Sequence, residues 1–341
     1  MKTIKSLFLF SLFIFLFSLF MGCNNGSTDP EPEPPPPYVP TTTVYTAGYY
    51  NNGSTNIACY WKDGAKTDLS TTAYSEANAI AVVGSDVYVA GWYEGSKDTA
   101  CYWKNGTRTD LYTTADSGAY AITVVGGVVY VAGWYYDGSN NVACYWKGTT
   151  KTDLYTTENS QANAIAVVGG DVYTAGQYSN GTNYVSCYWK GTSKTDLYTS
   201  NNSVATAIAV SGSDVYTAGW YANSSGFPIA CYWKGTSKTD LYTTYSQSIA
   251  IAVVGSDLYV AGYYDDGTYD VACYWKGTAK TDLPATFDAE ANAITVAGSD
   301  VYVAGDYYNG SDWRARYWKN GTKTNLSTDE SYAKGIVVTV E

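Results

Sequence analysis

Six cysteines, Cys59, Cys101, Cys144, Cys187, Cys231 and Cys273, each stand immediately before a Tyr-Trp-Lys triplet. Thiols in such a series have three uses in chemistry: disulfides, thiolate metal sites and nucleophiles. If each thiol belongs to a separate sheet in a stack, equivalent atoms lie about 10 Å apart. A disulfide spans a Cα separation of roughly 7 Å at most. Tetrahedral metal ligation needs convergence that separate sheets deny, and the chain has no histidine to complete a site. These cysteines are expected to act as small buried hydrophobes. No metal and no cofactor is expected.

The lack of histidine also removes the commonest general base. Carboxylates are the remaining candidates. Asp86, Asp171, Asp214, Asp257 and Asp300 form one series, and Asp68, Asp110, Asp153, Asp196, Asp240 and Asp282 form another. A catalytic pair needs two environments that push its pKa values apart. Residues repeated in register share one environment, so both series read as turn and edge fixtures. Asp265-Asp266-Gly267 and Asp137-Gly138 lack the alternating oxygen ligands and closing Glu of a calcium loop. Lysine pairs such as Lys62 and Lys66, Lys147 and Lys151, or Lys319 and Lys323 offer a basic ring, or charges that protect edge strands. Asn-Gly-Ser/Thr at Asn52, Asn105, Asn180, Asn309 and Asn320 matches a glycosylation sequon and equally a tight turn. No catalytic residue is assigned.

These residues are positioned by a repeat. The Trp of Tyr-Trp-Lys recurs at 61, 103, 146, 189, 233, 275 and 318, a spacing of 42 to 44 residues. Val-Tyr-Val-Ala-Gly or a close variant begins at 44, 87, 129, 172, 215, 258 and 301, and Ala-Asn-Ala-Ile-Ala-Val-Val or a similar run at 77, 119, 162, 205, 248, 291 and 333. One unit reads as four strands: A over 77–83, B over 87–93, C over 99–104 and D over 108–112. Gly-Ser-Asp and Asn-Gly runs between them are hairpin signals. Strands A and B are apolar at nearly every position, as when both faces of a sheet are covered. The fold class is therefore all-β, a seven-bladed β-propeller of four-stranded antiparallel blades. The first unit begins at strand B (43–50), and the chain ends on an unpaired strand A (333–340). The C-terminal strand is expected to complete blade 1, joining the ends and removing two exposed sheet edges.

Asp86-Val87-Tyr88-Val89-Ala90-Gly91 followed by Trp103 resembles kelch-type propeller repeats. The Cys-Tyr-Trp-Lys-Asn-Gly run with a following Asp-Leu resembles the bacterial extracellular HAF repeat. Both resemblances imply propeller architecture over 42–341 and no particular ligand.

The N-terminus reads as an address. Lys2 and Lys5 precede an apolar run over 7–21 that ends at Gly22-Cys23, a secretory signal too short for a stable span. Leu19-Phe20-Met21-Gly22-Cys23 resembles a bacterial lipobox, which implies lipidation of Cys23 and a place in the cell envelope, at an outer membrane or cell surface. The expected segments are a signal peptide over 1–22, a lipidated Pro-rich linker over 23–41 and the propeller over 42–341. Without Lys2 and Lys5 the chain carries 18 basic against 31 acidic residues, a balance of −13. Such a surface repels nucleic acid and anionic lipid. The membrane is expected to be met through the anchor alone, and the protein is expected to be a monomer.

Scaffold residues repeat in every blade, whereas binding residues need not. The A–B turns barely change, while the B–C loops (51–56, 94–98, 222–228, 265–270) and D–A connections (71–76, 157–161, 201–204, 287–290) change freely. In a meander these two emerge on one rim. Two variable positions flank it. One follows Ala-Gly in strand B: Tyr49, Trp92, Trp134, Gln177, Trp220, Tyr263 and Asp306. The other opens strand A: Asn78, Tyr120, Asn163, Thr206, Ile249, Asn292 and Lys334. Aromatic rings beside amides suit sugars and exposed protein patches; the alternative is packing between blades. From these sets, Trp92, Trp134, Trp220, Tyr263, Asn78, Tyr120, Asn163, Thr206 and Asn292 are the candidate ligand-binding residues. The expected function is a non-catalytic, surface-anchored scaffold that binds a glycan or a protein partner. A hydrolase or lyase with acidic residues at the channel mouth and a structural surface spacer are the alternatives.

Overall fold

The computed structural model describes residues 41–341 apart from Thr72. The expected signal segment, Cys23 and the linker up to residue 40 lie outside the described residues.

Seven four-stranded antiparallel sheets follow one another along the chain, with no helix among the described residues. Blade 2 shows the pattern: A is Ser75–Val83, B is Asp86–Glu94, C is Asp98–Lys104 and D is Thr107–Asp110. Strands A and C begin two and one residues earlier than their hydrophobic patterns and strand B gains one residue at each end, because polar residues continue the ladder, while strand D stops at Asp110, two residues short of the expected end. Each A strand packs beside the next blade's A strand, and the last beside the first, so the A strands form a closed inner ring. Blades 3 to 7 occupy 117–155, 160–198, 203–240, 246–282 and 289–325.

Blade 1 is closed as its ends imply. Ser331–Val340 pairs antiparallel with Thr42–Asn51, and Thr41 and Glu341 exchange both backbone hydrogen bonds at 2.9 and 3.0 Å. The first and last of the described strands thus share one sheet, which removes two free edges.

The strand C tryptophans, Trp61, Trp103, Trp146, Trp189, Trp233, Trp275 and Trp318, are the largest fully buried side chains. Truncating a buried Trp costs about 3–5 kcal/mol, so the triplet that marks the repeat also supplies much of each seam's packing. The six cysteines are buried and free, and burial pushes each thiol well above its usual range.

Strand A carries a β-bulge between Ala77 and Ala79, leaving Asn78 unpaired, and the same irregularity recurs in the other blades. The bulge swings the Glu76 carbonyl over Gly91, where a Cβ would stand 1.9 Å from that oxygen. The Gly of Ala-Gly is therefore a close-approach glycine. At the opposite rim, Asn105 and Gly106 have φ of 50° and 81°, the two positive values a two-residue I′ turn requires.

The charged series also find partners. Lys104, Lys190, Lys234, Lys276 and Lys319 pair with Asp86, Asp171, Asp214, Asp257 and Asp300 at 2.6–2.8 Å. On the outer strands, Lys151 Nζ lies 3.3 Å from the Tyr135 ring centroid and 2.5 Å from Asp153, whose other oxygen accepts from the Tyr135 hydroxyl. Both aspartate series are thus spent on strand-to-strand ties, which explains their periodicity.

Candidate functional site

B–C loops and D–A connections share one rim, and hydrogen bonds join them. Asn159, Asn202 and Asp288 in D–A connections accept from the backbone N–H of Asn141, Tyr184 and Asp270 at 2.9 Å, capping the preceding blade's strand C.

The strand A candidates lie on the inner ring near this rim, and most of their polar atoms are committed within the protein. Asn78 donates to the Ala119 carbonyl (2.9 Å), Asn163 to Ala205 (2.9 Å), Thr206 to Ser248 (2.9 Å) and Asn292 to Ala333 (3.0 Å). Each acceptor sits in strand A of the next blade. A bulged residue has no ladder partner, so its side chain is free to reach sideways, and the ring uses it as a blade-to-blade tie. Tyr120 accepts from Trp134 Nε1 at 2.9 Å.

The strand B candidates form a collar at the channel mouth. Trp92, Trp134 and Trp220 are half-buried, whereas Tyr263 is buried. Trp92 packs on Tyr74 at 5.3 Å and Tyr49 stacks on Tyr332 at 4.9 Å. Burial raises the phenols of Tyr49 and Tyr263 above their usual range. In blade 7 the collar becomes charged. Asp306, 1% exposed, accepts from Asn292 (2.7 Å), the Ala333 backbone (2.5 Å) and Lys334 (3.1 Å). Burial outweighs these donors and raises the Asp306 carboxyl; burial likewise raises Glu290 beside it. Burial opposes the charge on Lys334, but Asp306 and Glu290 hold it protonated, with a net upward shift.

A second feature escaped the sequence pattern. Four clefts run in succession along blades 6, 7 and 1, with volumes of about 330, 210, 540 and 490 Å³. Neighbouring clefts share walls: Thr286 and Phe287 join the first two, Tyr307 and Asn309 the next two, and Arg314 and Thr328 the last two. A run of rings follows the same course, with Tyr269 to Phe287 at 5.8 Å, Phe287 to Tyr308 at 6.3 Å and Tyr308 to Trp313 at 6.1 Å. Phe287 and Trp313 depart from the repeat, and that departure was the available signal.

Blade 7 differs from its siblings inside this groove. Arg316 occupies the cysteine position and Asn325 the strand D aspartate position. The Arg316 guanidinium lies 3.2 Å from the Tyr307 ring centroid and donates to Asn325 (3.1 Å) and the Pro284 carbonyl (3.3 Å).

Ring closure, blade count and strand order define the chain as a seven-bladed β-propeller. No family model and no curated protein matches the sequence. Among solved structures the chain is similar to TolB from Acinetobacter baumannii, with TM-score 0.51, 8% identity and coverage of 72% of this chain and 64% of that one. A Mycobacterium tuberculosis puromycin-hydrolyzing peptidase gives TM-score 0.53 and 11% identity over 74% of this chain and 46% of that one. The acylaminoacyl peptidase of Pyrococcus horikoshii gives 0.52 and 9% over 86% and 52%. The chain thus spans less than two thirds of each of these proteins, and the likeness shows the fold alone.

Proposed function

We propose that the protein is a non-catalytic binding scaffold that holds a glycan along the B–C/D–A rim of blades 6, 7 and 1. The observation that supports this reading is the continuity of the four clefts with the Tyr269–Phe287–Tyr308–Trp313 run of rings. Flat rings offer stacking faces for pyranose units, and amides and hydroxyls such as Asn309 and Thr328 offer hydrogen bonds to sugar hydroxyls. A linear groove suits a polymer better than a compact ligand. The collar of Trp92, Trp134 and Trp220 extends the same amphipathic rim towards the channel. Lipidation at Cys23 would hold the rim at the cell envelope.

A glycan array probed with the purified protein tests this reading. Oligosaccharide binding that weakens at least about tenfold in Trp313→Ala, with unchanged melting, is the expected result; no binding to any glycan overturns it. Fatty-acid labelling lost in Cys23→Ser tests the anchor. A hydrolase or lyase is the second reading, favoured by the raised carboxyl of Glu290 at the channel mouth. Polysaccharide turnover abolished in Glu290→Gln, with binding retained, would select it.

A further inference from the structure

In six blades one arrangement recurs on the outer strands. A strand D cation covers the ring of a strand B tyrosine and pairs with the strand D aspartate, as Lys194 does with Tyr178 (3.2 Å) and Asp196 (3.0 Å). Lys238 and Lys280 repeat this with Tyr221 and Tyr264, and Arg108 with Tyr93. Blade 7 breaks it at two places together. Arg316 replaces the cysteine and takes the ring of Tyr307, while Asn325 replaces the aspartate. Lys323, which stands where the covering cation belongs, loses both partners. It is exposed, and among the described residues no carboxylate or ring engages it. The two exchanges add one positive charge, remove one negative charge and release another cation from its pair.

Arg316 is 2% exposed, and its Nε–H has no acceptor among the described residues. No carboxylate compensates its charge; a ring face, an amide oxygen and a backbone carbonyl are what it has. A buried cation in that condition is costly unless an anion completes it. The cleft of about 210 Å³ that Arg316 and Lys323 line has no Asp or Glu among its described lining residues, although the protein is acidic overall. Each of the other three clefts of the groove has at least one carboxylate in its wall: Asp329, Asp312 and Asp282 are examples. Phe287 and Tyr308 flank the same cleft.

We infer that the blade 6–7 seam is an oxyanion subsite, in which Arg316 and Lys323 bind the carboxylate or sulfate of an acidic sugar whose ring rests against Phe287 or Tyr308. The inference rests on the glycan reading above and names the class of glycan. A guanidinium fork matches the two oxygens of a carboxylate or sulfate, and the lysine adds a mobile point charge. The cleft is smaller than the roughly 300–1,000 Å³ of a pocket for a whole ligand, so it fits one unit of a longer chain.

The experiment compares binding of three size-matched probes: an oligouronate, a sulfated neutral oligosaccharide and its unsulfated parent. At least one anionic probe is expected to bind about tenfold or more above the neutral parent; the two anionic arms identify which oxyanion is taken. The double variant Arg316→Cys/Asn325→Asp restores the residues of the six sibling blades, so its fold is supported by precedent within the chain. It should lose the anionic preference and keep residual binding of the neutral parent. Lys323→Ala, at an exposed position, should lower the preference several-fold without altering melting, and serves if the double variant does not fold. Equal affinity for charged and neutral probes would sink the subsite while leaving the glycan reading intact. Retention of the preference in both variants would do the same. No binding of any probe would overturn both.

Discussion

The Asp306 carboxylate of blade 7 lies 3.1 Å from Lys334 Nζ on the C-terminal strand and also accepts the backbone N–H of Ala333. This ties blade 7 to the strand that closes blade 1. Removing one partner of a buried pair leaves the other uncompensated. Lys334 is 28% exposed and partly solvated, so Asp306→Ala should cost roughly 2–3 kcal/mol rather than the full 3–5. Chemical denaturation measures the loss. Strand 331–340 should gain amide exchange more than any other A strand.

Glu290 supplies a pH test at the same seam. Its folded-state carboxyl is raised above the ordinary value of 4.5, chiefly by burial. The folded form then holds this proton more tightly than the unfolded chain. The stability it contributes is present below the unfolded value and is lost as pH rises through the folded one. Glu290→Gln should therefore melt higher than the parent at pH 7, and the difference should vanish near pH 4.

A serine at the start of strand A caps the preceding blade's strand C in most seams. Ser203 Oγ accepts from Ser186 N (2.8 Å) and Ser160 Oγ from Ala143 N (2.8 Å). Blade 7 has Ala289 at this place, opposite Ala272. Ala289→Ser should stabilise the protein by about 1 kcal/mol, the net worth of one hydrogen bond. Ser203→Ala should cost about 1–3 kcal/mol, because it strands a buried N–H. Paired melting curves check both.

Gly91→Ala should cost about 3 kcal/mol or more. The new methyl meets the Glu76 backbone oxygen at 1.9 Å, which no side-chain rotation relieves. Gly84→Ala, at a positive-φ turn glycine with open space around its Cβ position, should cost less, through backbone strain alone. The ranking separates close approach from conformational freedom.

The strand C thiols should be silent in the native state. A thiol-reactive dye should leave Cys59, Cys101, Cys144, Cys187, Cys231 and Cys273 unlabelled until denaturant is added, because burial both hides them and disfavours the thiolate. Rapid native labelling of any of them would contradict the packing.

The repeat, the strand order, the hairpin turns and the closing strand were legible in the sequence, because each depends on residues close together or on a period counted along the chain. The shared rim of B–C and D–A loops was legible too, since a meander alternates its ends. Asn78, Asn163, Thr206 and Asn292 stand at the strand A bulge, and their use was not readable in the sequence. Each side chain's partner is a carbonyl 41 or 42 residues away on the next blade. A bulge, visible only once strands A and B are paired, is what frees the side chain to reach it.

The blade 7 seam divides the same way. Arg316 stands where the other blades have cysteine, and Asn325 where they have aspartate. Folding puts Arg316 against Tyr307 and Asn325 against Arg316, so that the arginine takes the ring and Lys323 is left unpaired beside a cleft. Sequence alone determined that this is a closed ring of seven similar blades, because local pattern and period suffice for that. Tertiary structure alone decided which rim residues tie blades together and which stay exposed, because that choice depends on distances between blades.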